Sequence, residues 1–477
     1  MRHSGIHMKH KNRPLPLMLL ALSALLTVGS ARLFAQQAPT SGPALSNAEG
    51  SAPATRAGRR GGGGARAITA GIPSGAPAPT QTDFKFYLGT GTAPQGFTQV
   101  GADLAYAPGK FGFDSNTMPT ALPDGGVGSA IPFAFSVDIP EGNYRVTVTL
   151  GDKAGESTTT LLAETRRLMV ERVHTDAGQL ATVSYIVNVR NSHLPPPPTN
   201  APGGSEVRLD FLDQPLTWDD KLTLEFTNSR PCVRTIEIHP VTVPTIFIMG
   251  DSTVTDQPRD PGASWGQMLP AFFKDTVAVA NHATSGETLK SSITALRLDK
   301  VLSQMKKGDY LLCQFGHNDE KQSWPQTYVD PETTFKAYMS VYIAEARRRG
   351  ATPVIISMME RKNGINGNTH GGFPKAYEEL AAEQKVAFID NWKNSKIMYA
   401  AMGPDLNAAF NDSTHHRTFG AYEIAKLVAQ GLRDNNLPIA SELRDDFKPF
   451  DPAHPDKLAD FSTPMKISIN GQSPRGN

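Results

Sequence analysis

Five residues of this chain have the types and settings that acyl transfer needs: Ser252, Gly286, Asn318, Asp412 and His415. Ser252 stands in IFIMGDSTVTDQ, where β-favouring residues run into a glycine, an acid and two hydroxyls. A serine hydroxyl is a weak nucleophile until a base takes its proton, and histidine suits that task near neutral pH. Asp412 precedes His415 by three residues in NDSTHHRTFGAYE. It can accept from the second imidazole nitrogen and fix the tautomer. The oxyanion of the tetrahedral intermediate needs preorganised donors. The backbone N–H groups of Ser252 and Gly286 and the side-chain amide of Asn318 supply three. A serine after a strand is ordinarily a turn or N-cap residue, so the chemistry requires that the fold bring these positions together.

The elements after Pro244 do so. Apolar strands TIFIM (245–249), VAVAN (277–281), YLLCQF (310–315), TPVIIS (352–357) and VAFID (386–390) alternate with helical stretches. Those stretches are WGQMLPAFF, the segment around LRLDKVLSQMKKG, TFKAYMSVYIAEARRRG, AYEELAAEQ and AYEIAKLVAQGL near 421–432. Apolar strands with helical crossovers predict an α/β fold whose parallel sheet is covered on both faces. Ligands of such sheets gather at the carboxyl ends of the strands. Ser252 follows the first strand, Gly286 the second and Asn318 the third, while Asp412 and His415 precede the last helix.

GDST, the glycine loop of NHATSGET, GHND and DSTH together resemble the four sequence blocks of the SGNH (GDSL-type) hydrolases. The order Ser, Asp, His also occurs in α/β-hydrolases, but no G-x-S-x-G elbow is present. The stretches GDYLLCQFGHNDEK, NTHGGFPKAYEELAAEQKVAFID and DSTHHRTFGA are similar to the rhamnogalacturonan acetylesterase branch. So are FKFYLGTGTAPQGFTQV, YRVTVTLGD, ETRRLMVE and VNVR upstream, which look like a β-sandwich preceding the esterase domain. The resemblance implies a flavodoxin-like five-stranded parallel sheet, a Ser252–His415–Asp412 triad and an oxyanion hole from Ser252, Gly286 and Asn318. It also implies an enzyme that needs no cofactor and takes acetyl groups from a plant polysaccharide or oligosaccharide, chiefly pectic rhamnogalacturonan. Acetylated xylan, a broader GDSL lipase or esterase activity, and an inactive carbohydrate-binding protein are the alternatives. Where paired arginines are usual, the chain reads MMERKNG, with Arg361 followed by Lys362. Arg361 and His370 are expected to touch substrate.

Neighbouring groups have humbler expected roles. Asp251 and Asp319 hold loops by accepting backbone N–H bonds, and His317 packs and hydrogen-bonds. His416 stands beside His415, but sequence neighbours rarely face one ion, so no metal site is expected. Tyr87, Tyr106 and Trp218 are either sugar-stacking or core aromatics.

The rest of the chain frames this domain. Residues 83–243 carry short alternating runs such as FAFSVDI, YRVTVTL and KLTLEF, which predict an all-β sandwich, galactose-binding-like by resemblance. NSHLPPPPTNAPGGS within it must be a long loop. Residues 36–82 are rich in Ala, Gly, Pro, Ser and Thr and read as a flexible linker. Arg2, Lys9, Lys11 and Arg13 precede LPLMLLALSALLTV, which predicts a signal peptide over 1–35 with cleavage after Ala35, and hence a secreted or periplasmic protein with no membrane contact after cleavage. The catalytic domain spans 244–436 and a Pro- and Asp-rich tail 437–477. A net charge of +1 over 477 residues gives no bias toward nucleic acid or anionic membranes. The two cysteines, Cys232 and Cys313, are expected as buried free thiols.

Overall fold

The computed structural model describes residues 78–461 apart from 115–116 and 210–214. The signal and most of the linker read from the sequence, and the end of the tail, lie outside the described residues.

The parallel sheet contains β1 (Thr245–Gly250), β2 (Ala278–Asn281), β3 (Tyr310–Gln314), β4 (Thr352–Ile356) and β5 (Ala387–Ile389). Their order across the sheet is 2-1-3-4-5, all parallel. This is the flavodoxin-like order. Side chains alternate between faces along a strand, and both faces are covered here. Ile246, Ile248, Leu312 and Val354 enter one buried core, and Phe247, Met249, Leu311 and Ile355 the other. That is why the strands are continuous apolar runs rather than alternating ones.

The helices longer than one turn are α1 (Leu289–Thr294), α2 (Arg297–Gln304), α3 (Thr334–Arg348), α4 (Phe373–Gln384), α5 (Asn391–Met402) and α6 (Thr418–Asp434). Three differences from the sequence reading have physical causes. The segment around LRLDKVLSQ starts as a separate helix, because Leu296 takes a left-handed φ of 62° between α1 and α2. Helix α5 was absent from the reading, yet Asp390 caps it by accepting from Lys393 N at 3.1 Å. WGQMLPAFF gives only the short helix Trp265–Met268 and a 3-10 turn over Leu269–Phe272, with Pro270 inside.

Upstream, two sheets face each other. One runs through Ala181–Val189, Gly142–Leu150, Cys232–Pro240, Phe84–Leu88 and Thr98–Val100, with two short strands appended. The other runs through Phe111–Phe113, Phe133–Asp138, Lys221–Thr227, Ser157–Ala163 and Arg167–Thr175. Phe86, Phe135, Val146, Val148, Leu224 and Ile236 fill the space between them. Residues 191–209 form the expected loop. Cys232 and Cys313 are buried free thiols. As far as Phe461 the tail packs onto the domain: Ile439, Leu443 and Phe450 are buried against α6 and its neighbours.

Candidate active site

Register brings the carboxyl ends of β1, β2 and β3 level. Gly250 pairs with Gln314, and Ile248 with Asn281. Gly250 must be glycine, since a Cβ there would lie 2.5 Å from the Gln314 carbonyl oxygen and 2.7 Å from Val254. The chain then turns sharply, with Val254 N and Thr255 N both donating to Asp251 O at 3.0 Å. Asp251 Oδ1 accepts from Thr253 N and Oγ1, at 2.9 and 2.7 Å. Burial would raise the Asp251 carboxyl, but His317 and these hydrogen bonds outweigh it and hold it below the usual range. The loop-holding role read from the sequence is the one the geometry gives it.

This turn points Ser252 at His415. Ser252 Oγ lies 2.8 Å from His415 Nε2, and His415 Nδ1 lies 2.8 Å from Asp412 Oδ2. A carboxylate only accepts, so Nδ1 carries the hydrogen and Nε2 is left to accept from the serine hydroxyl. The three-residue spacing follows from a local turn. Asp412 Oδ1 accepts from Thr414 N at 2.8 Å and His415 N at 2.7 Å, leaving Oδ2 for the ring. Burial would raise the Asp412 carboxyl, but the hydrogen bonds and charge of His415 outweigh it and hold it at about 2. Gly262–Ala263 pairs with His416–Arg417, which ties the serine loop directly to the histidine segment. Gly420 lets α6 approach that segment, since a Cβ there would lie 2.3 Å from Ala409 O.

The expected oxyanion donors sit on loops stitched to the same place. Thr284 N donates to Gly250 O at 3.2 Å, joining the loop of Gly286 to the end of β1. Gly286 itself has a φ of +80°, where glycine is favoured. Asn318 Nδ2 donates to Glu287 O at 3.1 Å, and Lys321 Nζ donates to Asn318 Oδ1 at 3.0 Å. These two bonds orient the amide and leave one of its two hydrogens for another acceptor. Asp319 fastens the loop below, accepting from Leu289 N at 2.9 Å and Gly316 N at 3.0 Å, and burial pushes its carboxyl up to about 8.

The two residues expected to touch substrate, His370 and Arg361, meet each other and the GHND loop. His370 is 2% exposed. Its Nε2 donates to Met359 O at 3.1 Å and its Nδ1 is 3.0 Å from Glu320 Oε2. Both ring nitrogens of His370 are thus engaged by groups of the protein itself. Arg361 is partly buried and bound to Glu320, to Thr369 Oγ1 and to the His317 carbonyl. Its guanidinium braces the GHND loop. His317 donates to the same Met359 carbonyl at 3.1 Å and meets His370 edge-on, centroids 4.9 Å apart. His416 turns away from His415 to Tyr399, 2.8 Å from its hydroxyl, and burial pushes it down to about 3. Among the described residues no group of three or more His, Cys, Asp or Glu is placed to hold a metal ion.

Tyr106 is buried and donates to Asp138 Oδ1 at 2.6 Å, as a core residue. Trp218 packs between Arg190 and Arg297, at 4.6 and 5.6 Å from its ring, and not on an open sugar face. The sequence reading did not find these partners, nor Arg166 and Arg167, whose side chains reach the loop of Ser252. The adjacent arginines of ETRRLMVE were a signal, but nothing in the sequence names their acceptors.

Comparison with known proteins matches residues 246–455 to the family described as GDSL-like lipase/acylhydrolase. The rhamnogalacturonan acetylesterase RhgT of Bacillus subtilis is 35% identical over 220 residues, 42% of this chain and 93% of that protein. The rhamnogalacturonan acetylesterase of Emericella nidulans is 27% identical over 225 residues, 40% of this chain and 88% of that protein. The uncharacterized esterase YxiM of Bacillus subtilis is 28% identical over 379 residues, 74% of this chain and 91% of that protein. A crystal structure of YxiM shares 24% identity at a TM-score of 0.41, covering 75% of this chain and 99% of that one.

Proposed function

Given that the chain belongs to the GDSL-like lipase/acylhydrolase family and is a carboxylic ester hydrolase, we propose that it removes O-acetyl groups from a plant cell-wall polysaccharide through Ser252, His415 and Asp412. The observation that carries this reading is the unbroken chain from Ser252 Oγ through the imidazole to Asp412, with 2.8 Å at each step. In the first half-reaction Ser252 Oγ attacks the acetyl carbonyl carbon while His415 Nε2 takes the hydroxyl proton. The carbonyl π electrons move to oxygen, which is met by the Ser252 and Gly286 N–H groups and the Asn318 amide. Collapse breaks the bond to the sugar oxygen, and His415 returns the proton to that oxygen. Water, deprotonated by the same nitrogen, then attacks the acetyl-serine; collapse breaks the bond to Ser252 Oγ, His415 returns the proton to that oxygen, and acetate leaves. Asp412 remains ionised throughout and steadies the imidazolium.

Pectic rhamnogalacturonan is the substrate this reading favours. Two relatives that match nearly their whole length are named for that activity. We further propose that residues 1–35 direct export, so that the enzyme meets its polymer outside the cytoplasm in pectin degradation. The test is acetate release by the chain beginning after the linker, on acetylated rhamnogalacturonan and acetylated xylan in parallel, with Ser252→Ala as control. Release from the pectic polymer alone, lost in the variant, is the expected result. Release from xylan alone keeps the mechanism and overturns the substrate.

A further inference from the structure

The strands Ser157–Ala163 and Arg167–Thr175 of the sandwich are joined by the turn Glu164–Arg166, which enters the neighbourhood of the serine loop. Glu164 and Arg166 both take φ of 55°. For residues other than glycine this costs about 1–2 kcal/mol each, so the turn is held by what it contacts. Arg166 Nη1 donates to Gln257 O and Gly262 O, both at 3.0 Å. Gln257 Nε2 in turn donates to Ser252 O. Gln267 Nε2 spans the same junction, donating to Thr165 O and Gln257 O at 2.9 Å. Arg167 Nε meets Asp256 Oδ2 at 2.6 Å, with both side chains almost fully buried. Asp256 Oδ1 accepts from Asn281 Nδ2 at 2.8 Å, and the same amide donates to Val254 O at 2.9 Å.

A second arm reaches the other loop. Trp218 of the sandwich lies against Arg297 of α2 and, edge-on, against His282, at 5.7 Å between ring centroids. Arg297 Nε pairs with Glu287 Oε2 at 2.9 Å inside the protein. The carbonyl of that same Glu287 receives the Asn318 amide. Lys300, also on α2, is anchored to Glu141 of the sandwich at 2.7 Å.

We propose that the sandwich is a positioning element of the active site: Arg166 and Arg167 hold the loop of Ser252, and Trp218 holds the loop of Gly286 through Arg297 and Glu287. The inference rests on the Ser252 reading above. A displacement of about 1 Å at reacting groups costs on the order of 100-fold in rate, and the two loops must keep their spacing within that. A module that served only to bind glycan would not need a buried ion pair aimed at the nucleophile loop.

The test uses the full chain and p-nitrophenyl acetate, with kcat and KM measured separately and folding checked by thermal melting. For the first arm the variant is Arg167→Gln combined with Asp256→Asn, a neutral pair in which neither partner is left charged without the other. Arg166→Met is the second probe of that arm, and Trp218→Leu tests the other. Lys85→Gln, at an exposed pair with Glu237, serves as control. The expected result is a kcat about 10- to 100-fold lower in the interface variants, KM within about threefold of the wild type and an unchanged control. A folded variant with wild-type kcat overturns the arm it probes while the Ser252 reading stands. Wild-type protein without turnover contradicts that reading instead, so the two failures are distinct.

Discussion

His415 and His370 are both buried, and each has a carboxylate within 3.0 Å of Nδ1. They differ in what faces Nε2. For His415 it is the Ser252 hydroxyl, an atom that can give up a proton and attack. For His370 it is the Met359 carbonyl, which can only accept. The carboxylate differs too. Asp412 is partly exposed and holds its ring from one end of a short turn, whereas Glu320 is shared between His370 and Arg361. A carboxylate–histidine pair is therefore a common structural unit, and its third partner decides whether it can do chemistry.

The sharpest break of this comparison is Ser252→Ala. Removing the hydroxyl should lower kcat by about 10⁴- to 10⁶-fold with melting temperature unchanged. Steady-state assay on p-nitrophenyl acetate reads it, and near-normal turnover would show that His415 faces no nucleophile. Asp412→Asn should cost up to about 10⁴-fold by allowing the wrong tautomer, which the same assay measures. Asn318→Ala should lower kcat by about 100- to 1000-fold, the usual effect of losing one oxyanion donor; an effect below tenfold would remove Asn318 from the hole.

On the other side of the comparison, His370→Gln should leave kcat within about threefold and cost stability instead. Leaving the Met359 carbonyl and Glu320 poorly satisfied costs about 1–3 kcal/mol, read in a denaturant titration. The smallest effect is a linkage. The Asp412 carboxyl is held at about 2, below its unfolded value of 3.8. Its contribution is therefore fully present above about pH 4 and lost as pH falls through about 2. Solvent screens a partly exposed group, so the advantage of wild type over Asp412→Asn should be about 1 kcal/mol at neutral pH and vanish below about pH 2. An advantage independent of pH would mean that the charge is not what Asp412 supplies.

The parallel sheet and the convergence of its loops were legible because both are local in the sequence. Strands buried on both faces must be apolar throughout, and loops at their carboxyl ends must carry the polar residues. Gly286 and the Asp412–His415 spacing were equally readable, since a left-handed φ and an aspartate turn are settled within a few residues. His370 was not. Its enclosure depends on Glu320, fifty positions away, and on a backbone carbonyl that has no sequence signature. Helix α5 was missed because its apolar residues do not keep a clean helical period, although Asp390 marks its start. Arg166 and Arg167 were illegible as partners of the serine loop, and Trp218 as a partner of the Gly286 side, because the groups they meet lie across a domain junction whose geometry only the folded chain defines.

The central claim is that Ser252 carries the acetyl group between the two half-reactions. It is tested most directly by rapid acid quench of the protein during turnover of p-nitrophenyl acetate, followed by mass spectrometry of its peptides. The account predicts the mass of one acetyl group on the peptide containing Ser252, absent in Ser252→Ala. Acetyl found on another side chain, with turnover surviving in Ser252→Ala, would contradict it.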